Sequence, residues 1–269
     1  MAVPAAAAAA AAAGLRVRVN GPLATLWVRG DTGPGSLGVL GHGLDDALRR
    51  LTGDVRVAVI RVGDRDPRPP GGVGEGCPAD QVDPGGLADE CPAWRAALAR
   101  LAAHTDLLTV AAVSGSTADV GLALAVACDL RLFAADAVFH PDFARAGLLP
   151  VPGGLTRLAA LMGWSGVLDV MLTGRPLGAA EAARLGLAQR VVPGSRLEGE
   201  LDALVADLLT ASRDLTAELK ALSRVAAPGA GAIAAGRALD MDAARVGPEA
   251  EAWERLAAAA RVTAHDAAG

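Results

Sequence analysis

The chain has few of the residues that most directly reveal a ligand. It has no tyrosine, three phenylalanines and four tryptophans in 269 residues, so the aromatic platforms on which single-stranded nucleic acid stacks are scarce. Lys220 is the only lysine, and 25 basic residues face 30 acidic ones for a net charge of -5. No basic stripe stands out, which argues against nucleic acid and anionic membrane surfaces as partners. The four histidines are scattered, with no carboxylate cluster at ligand spacing, so no metal centre is expected. The three cysteines, Cys77, Cys91 and Cys128, are odd in number and form no CxxC pair. A disulfide framework and a structural zinc site are therefore not expected, in keeping with a reducing cytoplasm. Long uninterrupted apolar runs are missing as well. The alanine run 5–13 is short, weakly hydrophobic and preceded by no positive segment, so it reads as a tail and the chain as soluble.

What is present is an alanine- and glycine-rich pattern with clear secondary-structure periods. A chain of this length can bury a large core and is most simply one domain with an appendage. The segments 15–20 (LRVRVN) and 24–29 (ATLWVR) alternate and predict a hairpin turning at Asn20-Gly21-Pro22. Leu44, Leu48 and Leu51 share one face of a helix over 41–51. The β-branched run 55–62 and the apolar run 107–113 read as buried strands. A proline- and glycine-dense loop over 63–86 lies between them, followed by a helix over 93–103. The segment 120–128 is apolar all round and predicts a buried helix. Short strands are expected at 130–133 and 137–139. This alternation indicates an α/β core. After Pro193 the pattern changes to amphipathic helices over 196–209, 215–226 and 249–261, split by the glycine-rich 228–236. Those helices need a surface to cover, either the core or a neighbouring subunit.

The most informative stretch runs from Val110 to Val192. It reads AAVSGSTADVGLALAVACDLRL, then FHPDFARAGLLPVPGGLTRL, then LTGRPLGAAEAARLGLAQRVVP. In that order the motifs resemble the crotonase (enoyl-CoA hydratase/isomerase) superfamily. The resemblance covers about residues 22–193. It implies an α/β fold, a crotonase-like spiral of ββα turns with a C-terminal helical region. The implied division is an alanine-rich tail (1–14), a spiral core (15–193) and a helical oligomerisation region (194–269), assembled as a homotrimer or a dimer of trimers. It also implies an acyl-CoA or similar acyl thioester as ligand, with no separate cofactor because coenzyme A arrives as part of the substrate.

The same resemblance assigns site residues. One oxyanion-hole donor matches Ala79, in Glu75-Gly76-Cys77-Pro78-Ala79-Asp80; the other matches Val120, in Asp119-Val120-Gly121. Preorganised N–H donors of this kind stabilise negative charge developing on a thioester oxygen, and the alternative is a collapsed, inert pocket. Cys77, Gly121, Ala123 and Phe143 fall at substrate-lining positions. Ala123 and Phe143 stand where a hydratase of this family carries its two glutamates, so ordinary two-carboxylate hydration is not expected. Asp142 follows Pro141 as the family's second glutamate follows a proline; a one-residue shift makes it an acid/base group, and the bland reading makes it a turn aspartate. The strings GSTADVG and FHPD also resemble the catalytic subunit of Clp protease, whose nucleophilic serine falls at Asp119 and whose histidine falls at His140. By that likeness Asp119 and His140 face one another as a general acid/base pair. Asp119 is equally a helix N-cap before Val120, and His140 equally structural. The outcome is either an enolate-forming enzyme, of isomerase, dehydratase or decarboxylase type, or a non-catalytic scaffold for a partner enzyme. Gly153-Gly154 and Arg157 match a segment shaping the pocket wall, and Ser114 and Ser116 read as turn residues.

Overall fold

The computed structural model describes residues 14–28, 37–51, 53–63, 84–141 and 154–226. Among these are nine strands and seven helices. The strands are β1 (Leu15–Asn20), β2 (Leu23–Val28), β3 (Val57–Gly63), β4 (Leu108–Ser114), β5 (Ser116–Ala118), β6 (Leu130–Ala134), β7 (Val138–His140), β8 (Leu177–Gly178) and β9 (Arg190–Val192). The helices are α1 (Leu37–Arg50), α2 (Pro84–Ala103), α3 (Asp119–Ala127), α4 (Leu155–Thr173), α5 (Ala179–Arg184), α6 (Leu197–Thr210) and α7 (Arg213–Ala226).

Six strands form one sheet in the order β1-β2-β3-β4-β6-β9, and β5-β7-β8 form a second. The expected hairpin is present: β1 and β2 are antiparallel, with Asn20 opposite Leu23 across Gly21-Pro22. From β2 to β9 the large sheet is parallel. The chain feeds the two sheets alternately. β4 enters the large sheet, β5 the small one and α3 follows; β6 and β7 then repeat the step. This is the expected ββα spiral.

The faces of the large sheet explain its β-branched runs. Ala58, Ile60 and Val62 point into a core shared with α1, α2 and α3. Val57 and Val59 point the other way, packing with Val110, Ala112 and Leu132 against Leu197, Leu201, Leu204 and Val205 of α6. A strand buried on both faces reads as continuous hydrophobic sequence. Each fully buried leucine or valine contributes about 1.5–3 kcal/mol of hydrophobic free energy.

Some boundaries differ from expectation. Helix α1 begins at Leu37, because Leu37, Leu40, Leu44 and Leu48 form one stripe at 0% exposure. Helix α2 begins at Pro84 and runs through the exposed Pro92; an interior proline removes one hydrogen bond without ending the helix here. Helices α4 and α5 and strands β5, β8 and β9 had no counterpart in the sequence reading. Helix α4 is long and apolar enough to cross a membrane by length and composition. Its Gly163 is non-helical and divides it, leaving two pieces that are each too short to span a bilayer. Leu158, Met162, Val167, Val170 and Met171 pack one side of it into the core, while Trp164 and Leu172 are exposed.

Helices α6 and α7 match the expected 196–209 and 215–226 closely. Helix α6 covers the back of the sheet. Helix α7 buries Thr216 and Lys220 but exposes Leu215, Leu219 and Leu222. The alanine run, the expected helix over 249–261 and most of the loop over 63–86 lie outside the described residues.

Candidate functional site

The site is assembled where β3, β4 and β5 meet helix α3. At the end of β3, Gly63 pairs with Ser114 of β4. A Cβ on Gly63 would lie 1.8 Å from the Ser114 carbonyl oxygen, and its φ of +114° is one that side chains rarely adopt. Only glycine allows this approach. It brings the end of β3 against the Gly115–Ala118 link that leads into α3.

Helix α3 (DVGLALAVA) is buried along its whole length, as the apolar run that follows Asp119 requires. Ala118 holds the N-cap position in extended conformation (φ -92°, ψ -171°), and no side chain caps the helix there. The expected N-cap role of Asp119 is thus displaced by one residue: Asp119 is the first helical residue, 3% exposed. Its carboxylate lies at the positive end of the helix, where negative charge is favoured. The N–H groups of the first turn, Val120 among them, have no acceptor within the helix and so are donors available to a ligand oxygen. Ala123 lies one turn beyond Asp119 on the same face and is 3% exposed.

Gly121 explains how tightly this turn is held. A Cβ placed there would lie 1.9 Å from Thr117 Oγ1 and 2.5 Å from Val62 Cγ1. Thr117, at the middle of β5, is 2% exposed, and its hydroxyl has no hydrogen-bond partner among the described residues. Sequence reasoning passed over Thr117, because a threonine in a strand is ordinary.

His140 ends β7, which lies parallel to β5 with Ala118 and His140 in register. Asp119 is therefore one residue beyond the strand neighbour of His140. Strand β7 is anchored by Phe139, whose ring packs on Phe133 at 5.3 Å. His140 is half-buried. The structure thus gathers Asp119, Val120, Gly121, Ala123 and His140 around one helix start. Cys77, Ala79, Asp142 and Phe143 lie outside the described residues. Among the described residues no group of three or more His, Cys, Asp or Glu side chains could hold a metal.

The far end of α3 is a different environment. Asp129 Oδ2 accepts hydrogen bonds from Thr109 N at 2.9 Å, Thr109 Oγ1 at 2.8 Å and Lys220 Nζ at 2.7 Å. Lys220 also donates to the Leu107 carbonyl at 2.7 Å. Arg131, buried beside them, donates to the carbonyls of Leu187 and Cys128. Burial pushes the Cys128 thiol up to about 12, so it is not a nucleophile at neutral pH. A cavity of about 500 Å³ opens here, lined by Asp129, Lys220, Arg157 and Ser223 among others. It lies at the opposite end of the helix from Asp119. The one signal for this cluster in the sequence was the isolated Lys220 in a chain otherwise supplied with arginine.

A buried helix start whose first-turn N–H groups have no acceptor within the helix is suited to a ligand oxygen. Comparison with known proteins points the same way. A family model described as enoyl-CoA hydratase/isomerase matches residues 89–255. Enoyl-CoA isomerase/hydratase claC of Penicillium crustosum is 44% identical over 98 residues, 36% of this chain and 11% of that protein. A Mycobacterium tuberculosis protein, echA8, named as an enoyl-CoA hydratase, is 38% identical over 119 residues, 44% of this chain and 42% of its own length. The matched segment therefore spans less than half the length of either relative. Among solved structures, a Thermobifida fusca YX protein named for enoyl-CoA hydratase aligns over 98% of both chains at 28% identity and TM-score 0.66. A structure of that name and source in complex with acetoacetyl-CoA aligns over 96% of this chain and 98% of its own at 27% identity and TM-score 0.63.

Proposed function

The chain belongs to the enoyl-CoA hydratase/isomerase family, and from that premise we propose that it binds an acyl thioester of coenzyme A at the start of α3 and stabilises an enolate-type oxyanion there. The single observation that carries this reading is the buried first turn of α3, where the Val120 N–H and the helix's positive end meet Asp119. The Ala79 N–H supplies the second donor in this proposal. Asp119 and His140 form the acid/base pair, with Asp142 as an alternative proton carrier. Cys77, Gly121, Ala123 and Phe143 line the acyl end. The reaction class is isomerisation, dehydration or decarboxylation. In a decarboxylation, loss of CO2 itself generates the carbanion, so no second carboxylate is needed. Coenzyme A enters as part of the substrate, with no further cofactor, in a cytoplasmic homotrimer or dimer of trimers.

A panel of acyl-CoAs that includes crotonyl-CoA tests the proposal. Turnover that falls a hundredfold or more in Asp119→Asn or His140→Ala is the expected result, because a positioned acid/base group contributes on that order. Binding without turnover, unchanged by both substitutions, supports the second reading: a non-catalytic member that serves a partner enzyme. The buried, apolar Ala123 one turn from Asp119 favours that reading, since it stands where the family resemblance implies a carboxylate.

A further inference from the structure

The hydroxyl of Thr117 is out of place by the rules that govern the rest of this core. It is buried and has no hydrogen-bond partner among the described residues. Around Gly121 it shares its space with the buried Val62. Valine has the same shape and would fill the space with a methyl group. A buried hydroxyl without a partner is worse for stability than that methyl. Placement sharpens the point. Thr117 Oγ1 lies 1.9 Å from where a Cβ on Gly121 would be, so the oxygen is pressed against the third residue of α3. The glycine and the hydroxyl occupy complementary space at the one turn of the helix whose N–H groups have no acceptor of their own.

We propose that Thr117 is a ligand-binding residue of this site, whose hydroxyl donates a hydrogen bond to the thioester carbonyl oxygen when an acyl-CoA is seated at the Val120 N–H. It rests on the acyl-thioester reading above and adds a side-chain donor to the backbone donors. The hydroxyl abuts Gly121, the residue next to Val120 in the first turn of α3. A carbonyl oxygen has two lone pairs and accepts from both kinds of donor. Satisfying Thr117 only in the complex makes its hydrogen bond a term in affinity and removes it from the stability of the free protein.

The test uses the full chain with acetoacetyl-CoA and free CoA as probes, measured by calorimetric titration alongside thermal melting. Thr117→Val keeps the shape and removes the hydroxyl; Thr117→Ser keeps the hydroxyl and removes the methyl. The expected pattern is crossed. Thr117→Val melts no lower than wild type yet binds acetoacetyl-CoA roughly fivefold to tenfold more weakly, with CoA binding unchanged. Thr117→Ser melts lower and binds both probes as wild type does. Equal binding of acetoacetyl-CoA by wild type and Thr117→Val overturns the inference, as does an equal loss for both probes. A Thr117→Val melting point well below wild type also overturns it, because the hydroxyl would then have a partner inside the protein. Wild type that binds neither probe overturns the functional reading and this inference with it.

Discussion

The two ends of helix α3, nine residues long, obey opposite rules. At the far end the Asp129 carboxylate has protein partners, Thr109 through two bonds and Lys220, which also donates to the Leu107 carbonyl. At the start, Thr117 keeps an unsatisfied hydroxyl and the helix has no side-chain cap at Ala118. Asp129 is half-buried while Thr117 is buried, so the less accessible group is the one without a partner. Buried polar groups are ordinarily paired. A saturated cluster holds the scaffold, whereas an unsaturated helix start is free to meet something brought to it.

Substitutions at the two ends should therefore separate stability from binding. The largest effect is expected from Lys220→Met. It leaves the half-buried Asp129 carboxylate without its cation, which costs about 3 kcal/mol of folding stability. Denaturant titration checks this, and acetoacetyl-CoA affinity of the folded fraction should not change. An affinity loss as large as the stability loss would erase the distinction between the two ends. Gly121→Ala is expected next, at about 1–3 kcal/mol, because the added methyl meets Thr117 Oγ1 and Val62 Cγ1 and overpacking displaces its neighbours. Here affinity should fall as well, since the turn bearing the Val120 N–H is displaced; unchanged binding would mean that the turn has no part in the site.

The smallest effect concerns Asp106, beneath the start of α7, and gives a pH signature remote from both ends. Burial works to raise its pKa, but the Arg213 guanidinium at 2.7 Å outweighs this and holds the carboxyl below its ordinary 3.8. A depressed folded value stabilises the protein above the unfolded value, and that contribution is lost as pH falls through the folded one. Melting curves of wild type and Arg213→Met should differ slightly at neutral pH, and the part of the offset due to Asp106 should be lost below about 3.8, leaving that from the Gly53 and Val55 carbonyls. The offset at neutral pH should be a few tenths of a kcal/mol, as is usual for exposed pairs. A constant offset down to the lowest pH would remove the role of this pair.

Legibility in the sequence followed the range of the physics involved. Strand β1 was readable to the residue, and β3 and β4 within two residues, because alternation and β-branched runs are local signals. Helix α3 was readable because nine apolar residues in succession leave no polar face. Strands β5 and β8, of three and two residues, are too short to carry a period. Helix α4 was hidden by an apolar sequence broken at Gly163, which shows no clean stripe. The candidate site divided in the same way. Asp119, Val120 and His140 were visible as parts of motifs. Thr117 was not, since its meaning depends on Gly121 and on Val62, a residue from another strand. Lys220 and Asp129 are separated by 91 positions, a pairing that no local pattern encodes.

The Cys128 thiol, set among the partners of Asp129 and pushed up to about 12, turns the scaffold end into its own chemical clock. The thiolate is the species that attacks a disulfide reagent, and almost none of it forms at neutral pH while the core is closed. In a Cys77→Ser, Cys91→Ser background, the rate of labelling would time the moments when this part of the protein opens.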